Sequence, residues 1–100
     1  EIMAVQREDG SWLFDGLLSI DEVKEILGID SLPDEDRVGY QTLGGFVMTM
    51  LDSIPETGQE FVIMNLRFEV IDMDGKRVDK VLVTPNTLIT SSDVADYLVE

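Results

Sequence analysis

One hundred residues carrying 21 Asp and Glu against 7 Lys and Arg, a formal net charge of −14, describe an acidic chain of single-domain size. No cluster of Lys or Arg exists to replace counterions on phosphate, which disfavours nucleic acid and anionic lipid headgroups and leaves cations or a basic protein surface as the natural partners. The absence of Cys and His removes thiol chemistry, disulfides, the usual zinc sites and the commonest general base.

Residues Ile2 to Arg7 alternate weakly and end at Glu8-Asp9-Gly10-Ser11, a turn signal, before Trp12-Leu13-Phe14 and a second Asp-Gly at Asp15-Gly16. This predicts a β-hairpin with strands at about 2–8 and 11–14. From Leu18 to Gly28 the local signals agree on a helix. Ser19 with Glu22 makes a capping box, Leu18 and Val23 have the spacing of a hydrophobic staple, and Gly28 suits the residue after the helix end. Ile20, Val23, Ile26 and Leu27 form its inward stripe. Residues 29–41 have no sustained period; Asp30, Asp34, Glu35 and Asp36 mark a surface loop, with one helical turn expected after Pro33.

Thr42 to Pro55 is the second main helix. Leu43, Phe46, Val47, Met50, Leu51 and Ile54 recur with the period of one helical face, Thr42 is placed to cap, and Pro55 stops the element. Gly44 and Gly45 in its first turn each cost up to ~1 kcal/mol relative to alanine. Two glycines at a helix N-terminus can cradle a phosphate, or they can let another element approach closely. Thr42, Gly44 and Gly45 are therefore the candidate cofactor-binding residues, although G-x-G-x-x-G spacing and a nearby lysine are missing.

After the turn at Pro55-Glu56-Thr57-Gly58, Phe61 to Met64 predicts a short buried strand. Leu66, Phe68 and Val70 alternate along the next strand. Arg77 to Thr84 is its partner, with Val78, Val81 and Val83 inward and a bulge where 78 to 81 breaks alternation. Asp72-Met73-Asp74-Gly75 superficially suggests a calcium loop, but the glutamate and other ligands of that loop do not follow, so Asp74-Gly75 is read as a hairpin turn. Ser91 to Glu100 predicts a short C-terminal helix capped by Ser92.

The predicted order is ββααβββ, an α+β domain with a small mixed or antiparallel sheet of about five strands packed with two main helices. No apolar run approaches the ~20 residues of a membrane span, and the first residues lack the cationic region of a signal peptide, so a soluble piece without membrane insertion is expected. No nucleophile has an obvious base beside it, so no catalytic residue and no metal ligand set is assigned.

Several of these segments together resemble a known family. Asp9-Gly10-Ser11-Trp12 with Asp15-Gly16, the capped helix from Ser19, Thr42-Leu43-Gly44-Gly45, Ile54-Pro55, Gly58-Gln59 and the strands from Phe68 to Val83 look like the CorC/HlyC transporter-associated domain. The resemblance covers about residues 4–84, so the domain is placed at 1–84 with 85–100 as a C-terminal extension that a short docking helix would fit. It implies a non-catalytic accessory module on the cytoplasmic face of the cell membrane, within a magnesium/cobalt efflux or hemolysin-like protein. The implied partners are a CBS-domain pair and the membrane region of that parent, and a homodimer is admitted. The family's fold is FAD-binding-like, so FAD or an adenine nucleotide is one alternative ligand. An acidic divalent-cation sensor is the other.

Overall fold

The computed structural model describes residues 2–85. Its elements are β1 (Ala4–Gln6), β2 (Trp12–Asp15), α1 (Ile20–Leu27), α2 (Glu35–Val38), α3 (Leu43–Leu51), β3 (Glu60–Ile63), β4 (Leu66–Asp74) and β5 (Arg77–Pro85). The five strands form one sheet in the order β1-β2-β5-β4-β3, and every neighbouring pair is antiparallel. The α+β class and the five strands agree with expectation. The single helical turn after Pro33 is α2. The helix expected at 91–100 lies outside the described residues.

The N-cap of α1 is as read, while the Glu22 carboxylate bonds the Ser19 hydroxyl where a full capping box would bond the Ser19 amide. The Ser19 hydroxyl accepts the Glu22 amide at 3.2 Å and donates to the Glu22 carboxylate at 3.2 Å. Gly28 turns left-handed at φ 70°, and the Ile29 amide donates back to the Lys24 carbonyl at 3.0 Å, closing the helix end. Leu18 and Val23, the staple pair, are both buried.

One face of the sheet carries the core. Phe14, Val81 and Val70 stand side by side across β2, β5 and β4; Trp12, Val83, Phe68 and Phe61 form the next row. Phe46 of α3 sits over that second row, its ring centroid 5.4 Å from Phe68, 5.8 Å from Phe61 and 5.3 Å from Tyr40. Edge-to-face contact of this kind adds to the area each ring buries. The bulge expected between Val78 and Val81 is present: Val70 faces Val81, Asp72 faces Lys80 and Met73 faces Val78, so one residue is extra on each strand in turn.

Three local expectations are corrected. The α3 helix ends at Leu51, where Asp52 turns left-handed at φ 55°, so Ile54 is not on its inward face and stays 49% exposed. Phe61 to Met64 is not a buried run: β3 is an edge strand with Val62 exposed, and Met64 belongs to the turn. The β4–β5 loop is Gly75-Lys76 rather than Asp74-Gly75, with positive φ at Gly75 as a type II′ turn requires.

The β3–β4 turn is Met64-Asn65, with φ 50° and 60°, the signature of a type I′ turn. Methionine carries a Cβ penalty there that Asn and Gly largely avoid. Met64 is exposed, so replacing it sacrifices little packing. The double substitution Met64→Asn, Asn65→Gly is expected to raise stability by roughly 0.5–1 kcal/mol. A urea midpoint at or below that of the parent chain would show that the turn is not strained.

Candidate functional site

The first turn of α3 holds the candidate cofactor-binding residues Thr42, Gly44 and Gly45. Its amides all have protein acceptors. The Leu43 amide donates to the Leu18 carbonyl at 2.9 Å, Gly44 to the Gly16 carbonyl at 2.9 Å, Gly45 to the Thr42 hydroxyl at 3.2 Å and Phe46 to the Thr42 carbonyl at 3.0 Å. A phosphate at a helix N-terminus needs such amides free. Here Thr42, Gly44 and Gly45 are brought together, and they serve the cap and the junction with residues 16–18.

The glycines are explained by neighbouring atoms. A Cβ on Gly44 would lie 3.2 Å from the Gly16 carbonyl oxygen and 3.4 Å from Val78 Cβ; on Gly45 it would meet Tyr40 Cβ at 3.3 Å. Gly16 is tighter still, because a Cβ there would lie 1.9 Å from the Val78 carbonyl oxygen. Its own amide donates to the Asp79 carbonyl at 2.8 Å. Gly16 therefore joins β2, the β5 bulge and the start of α3. Sequence reasoning treated it as an ordinary turn glycine; the available signal was a glycine directly between a strand and a capped helix.

The acidic loop is internally neutralised in part. Lys24 Nζ lies 2.7 Å from Glu35 Oε2, while Glu35 Oε1 accepts the Leu32 amide at 3.1 Å. The hydrogen bond from Lys24, then that from Leu32, holds the Glu35 carboxyl below its ordinary pKa. Asp34 pairs with Arg37 at 3.1 Å, and that hydrogen bond lowers its pKa likewise. Among the described residues no group of three or more acidic side chains is arranged to hold a metal ion. Asp74, of the superficial calcium motif, pairs with Arg77 at 2.7 Å.

Buried Ser11 donates to Asp9 Oδ1 at 2.6 Å and its amide bonds to the same oxygen, an Asx turn that lowers the Asp9 pKa. Among the described residues no buried side-chain polar atom lacks a partner, so none is left aimed at a ligand.

Among the described residues Tyr40 is the one strongly shifted group. Burial, then the Glu35, Asp34 and Asp36 carboxylates, pushes its phenol up to about 12, and its hydroxyl donates to the Pro33 carbonyl. A raised native pKa means that the stability tied to this proton is present below the unfolded value of 10.0 and is lost as pH rises toward about 12. Denaturation from pH 9 to about 12 should therefore be less steep for Tyr40→Phe than for the parent chain. Identical slopes would remove Tyr40 from the alkaline transition.

Residues 5–87 match the family described as the transporter associated domain CorC_HlyC. The chain is 58% identical over 83 residues to the UPF0053 protein sll0260 of Synechocystis sp., covering 83% of this chain and 18% of that protein. It is 42% identical over 84 residues to the polyamine export protein of Escherichia coli, covering 84% of this chain and 18% of that protein. Thus the chain spans less than a fifth of the length of these curated relatives. Among solved structures it is similar to the transporter associated domain of a Xylella fastidiosa hemolysin in complex with Mg++ and Mn++. That match has a TM-score of 0.71 and 38% identity, over 84% of this chain and 98% of that one. Among the described residues no helix is long and apolar enough to cross a membrane.

Proposed function

This chain belongs to the CorC_HlyC transporter associated domain family, and on that footing we propose that it is a non-catalytic accessory domain that modulates cation transport by a longer membrane protein. The observation that carries this reading is the pairing of high coverage of this chain with 18% coverage of its relatives, one of them a named export protein. The domain repeats as a unit while the transport machinery lies elsewhere in the longer protein. Its place is the cytoplasmic face, beside the CBS-domain pair that the family resemblance implies. The cargo is a cation, either a divalent metal such as magnesium or cobalt or an organic polycation.

The test is transport by the parent protein with and without this domain, in inverted membrane vesicles loaded with polyamine, Mg²⁺ or Co²⁺. Retained transport with an altered dependence on cation concentration supports a modulating role. A deletion that leaves both rate and concentration dependence unchanged overturns it, as does turnover of any substrate by the purified domain.

A second reading, divalent-cation sensing by the domain itself, is favoured by the Mg++ and Mn++ complex of the Xylella relative. A rise in melting temperature with millimolar Mg²⁺ or Mn²⁺ at fixed ionic strength would support it. An FAD or adenine-nucleotide site at Thr42, Gly44 and Gly45 would require the α3 amides to leave Leu18 and Gly16. Titration with FAD is accordingly expected to release no heat, and a saturating isotherm would overturn that expectation.

A further inference from the structure

The face of the sheet opposite the helices carries a second pattern that the core does not use. Facing residues run across all five strands in one row: Val5, Leu13, Leu82, Glu69 and Glu60. Its β1, β2 and β5 positions are apolar and its β4 and β3 positions are carboxylates. Val5 is 46% exposed, Leu13 and Leu82 are half-buried, and neither leucine packs against the core cluster. An antiparallel sheet can leave one face in water, but that face then normally alternates to polar residues. Three adjacent aliphatic side chains depart from that rule.

The carboxylates depart from another. Glu60 and Glu69 are directly opposite across β3 and β4, where like charges destabilise a sheet. Neither lies within 4.0 Å of a Lys or Arg nitrogen among the described residues. Arg67 stands one row away, between Thr84 and Val62, and Lys80 is engaged with Asp15 and Asp79. The chain's remaining residues, 86–100, contain Asp93, Asp96 and Glu100 and no Lys or Arg, so they bring no compensating charge. A second copy would bring another −14.

From this pairing of an apolar half with an uncompensated acidic half, we infer that the outer face of the sheet docks a cationic amphipathic protein segment. The partner's aliphatic side chains lie on Val5, Leu13 and Leu82, and its Lys or Arg residues reach Glu69 and Glu60. Burial of the aliphatic row supplies the non-directional attraction, and the carboxylate pair fixes orientation and speeds encounter. Binding of this kind weakens as salt rises. The inference is independent of what the parent protein transports.

The test is amide chemical-shift mapping on the isotope-labelled 100-residue chain, using a synthetic peptide of alternating Leu and Lys and its Leu and Glu counterpart. Shifts should concentrate at Val5, Leu13, Leu82, Glu69 and Glu60 with the cationic peptide and be absent with the anionic one. The E60Q/E69Q variant should weaken the peptide by roughly tenfold without lowering the melting temperature. E25Q/D36N, which removes two charges from α1 and α2, should leave affinity within about twofold. Equal weakening by both variants would reduce the attraction to net charge and overturn the docking face. Shifts confined to α1 and α3 would also overturn it. Nuclear Overhauser contacts from Leu88 or Leu98 to Leu13 and Leu82 in the free chain would make its own C-terminal segment the occupant. A dimer in sedimentation that Leu82→Lys dissociates would make a second copy the occupant. Either result overturns the inference.

Discussion

Gly16→Ala is expected to destabilise the domain by about 3 kcal/mol or more, enough to unfold a marginal chain. The added methyl would sit 1.9 Å from the Val78 carbonyl oxygen and 2.8 Å from its carbonyl carbon, and neither atom is the free end of a flexible side chain. Relief requires β2 and β5 to part at the bulge, which breaks the bond from the Gly16 amide to Asp79 and loosens the acceptor used by Gly44. Gly45→Ala is the built-in comparison. Its methyl meets Tyr40 Cβ at 3.3 Å, a contact that a small shift relieves, and alanine recovers up to ~1 kcal/mol of helix propensity. Urea unfolding followed by circular dichroism separates the two. If Gly16→Ala unfolds within 1 kcal/mol of the parent, the junction between β2, β5 and α3 is not as close as described.

Phe46→Ala is the second large effect, at about 3–5 kcal/mol. Phe46 is fully buried, and its ring meets Tyr40, Phe61 and Phe68, so truncation leaves a cavity lined by three aromatic faces that cannot all collapse inward. Because Phe61 and Phe68 also stack on each other at 5.2 Å, the aromatic group acts as a unit and single deletions will not add. A double-mutant cycle between Phe46→Ala and Phe61→Ala should show coupling of roughly 0.5 kcal/mol or more. Strict additivity, with each single change under about 2 kcal/mol, would show that the cluster is loosely packed.

Local chemistry made much of the fold readable. Ser19 and Glu22 around a 3.6-residue stripe can only open a helix, and Leu66, Phe68 and Val70 could only share a face of a strand. What escaped was set by atoms distant in sequence. Met64-Asn65 lacks the usual Asn-Gly signature, so Met64 read as the end of a strand, and that strand read as buried although topology puts it at the sheet edge. Ile54 fits the helical period, but α3 stops at Leu51, three residues earlier, where the next residue, Asp52, turns left-handed, a conformation that aspartate tolerates better than most residues. At the candidate site, Gly44 and Gly45 were visible as anomalies. Which carbonyls consume the helix amides was not, because Gly16 and Leu18 reach them only through the pairing of β2 with β5. Glu60 opposite Glu69 was hidden for the same reason, since register across strands is not a property of either strand alone.

The strand order has a kinetic corollary. β5, the last strand among the described residues, lies in the middle of the sheet and joins the β1–β2 hairpin to the β4–β3 ribbon. Trp12 finds Val83 only after the whole intervening chain exists. Loop closure over that separation must be met before the central pairing contributes, so the pairing of β2 with β5 waits until the last of these segments has been made. Until β5 is in place, both halves of the sheet are two-stranded with an open edge, and a chain truncated before Arg77 should fail to hold either ribbon and aggregate.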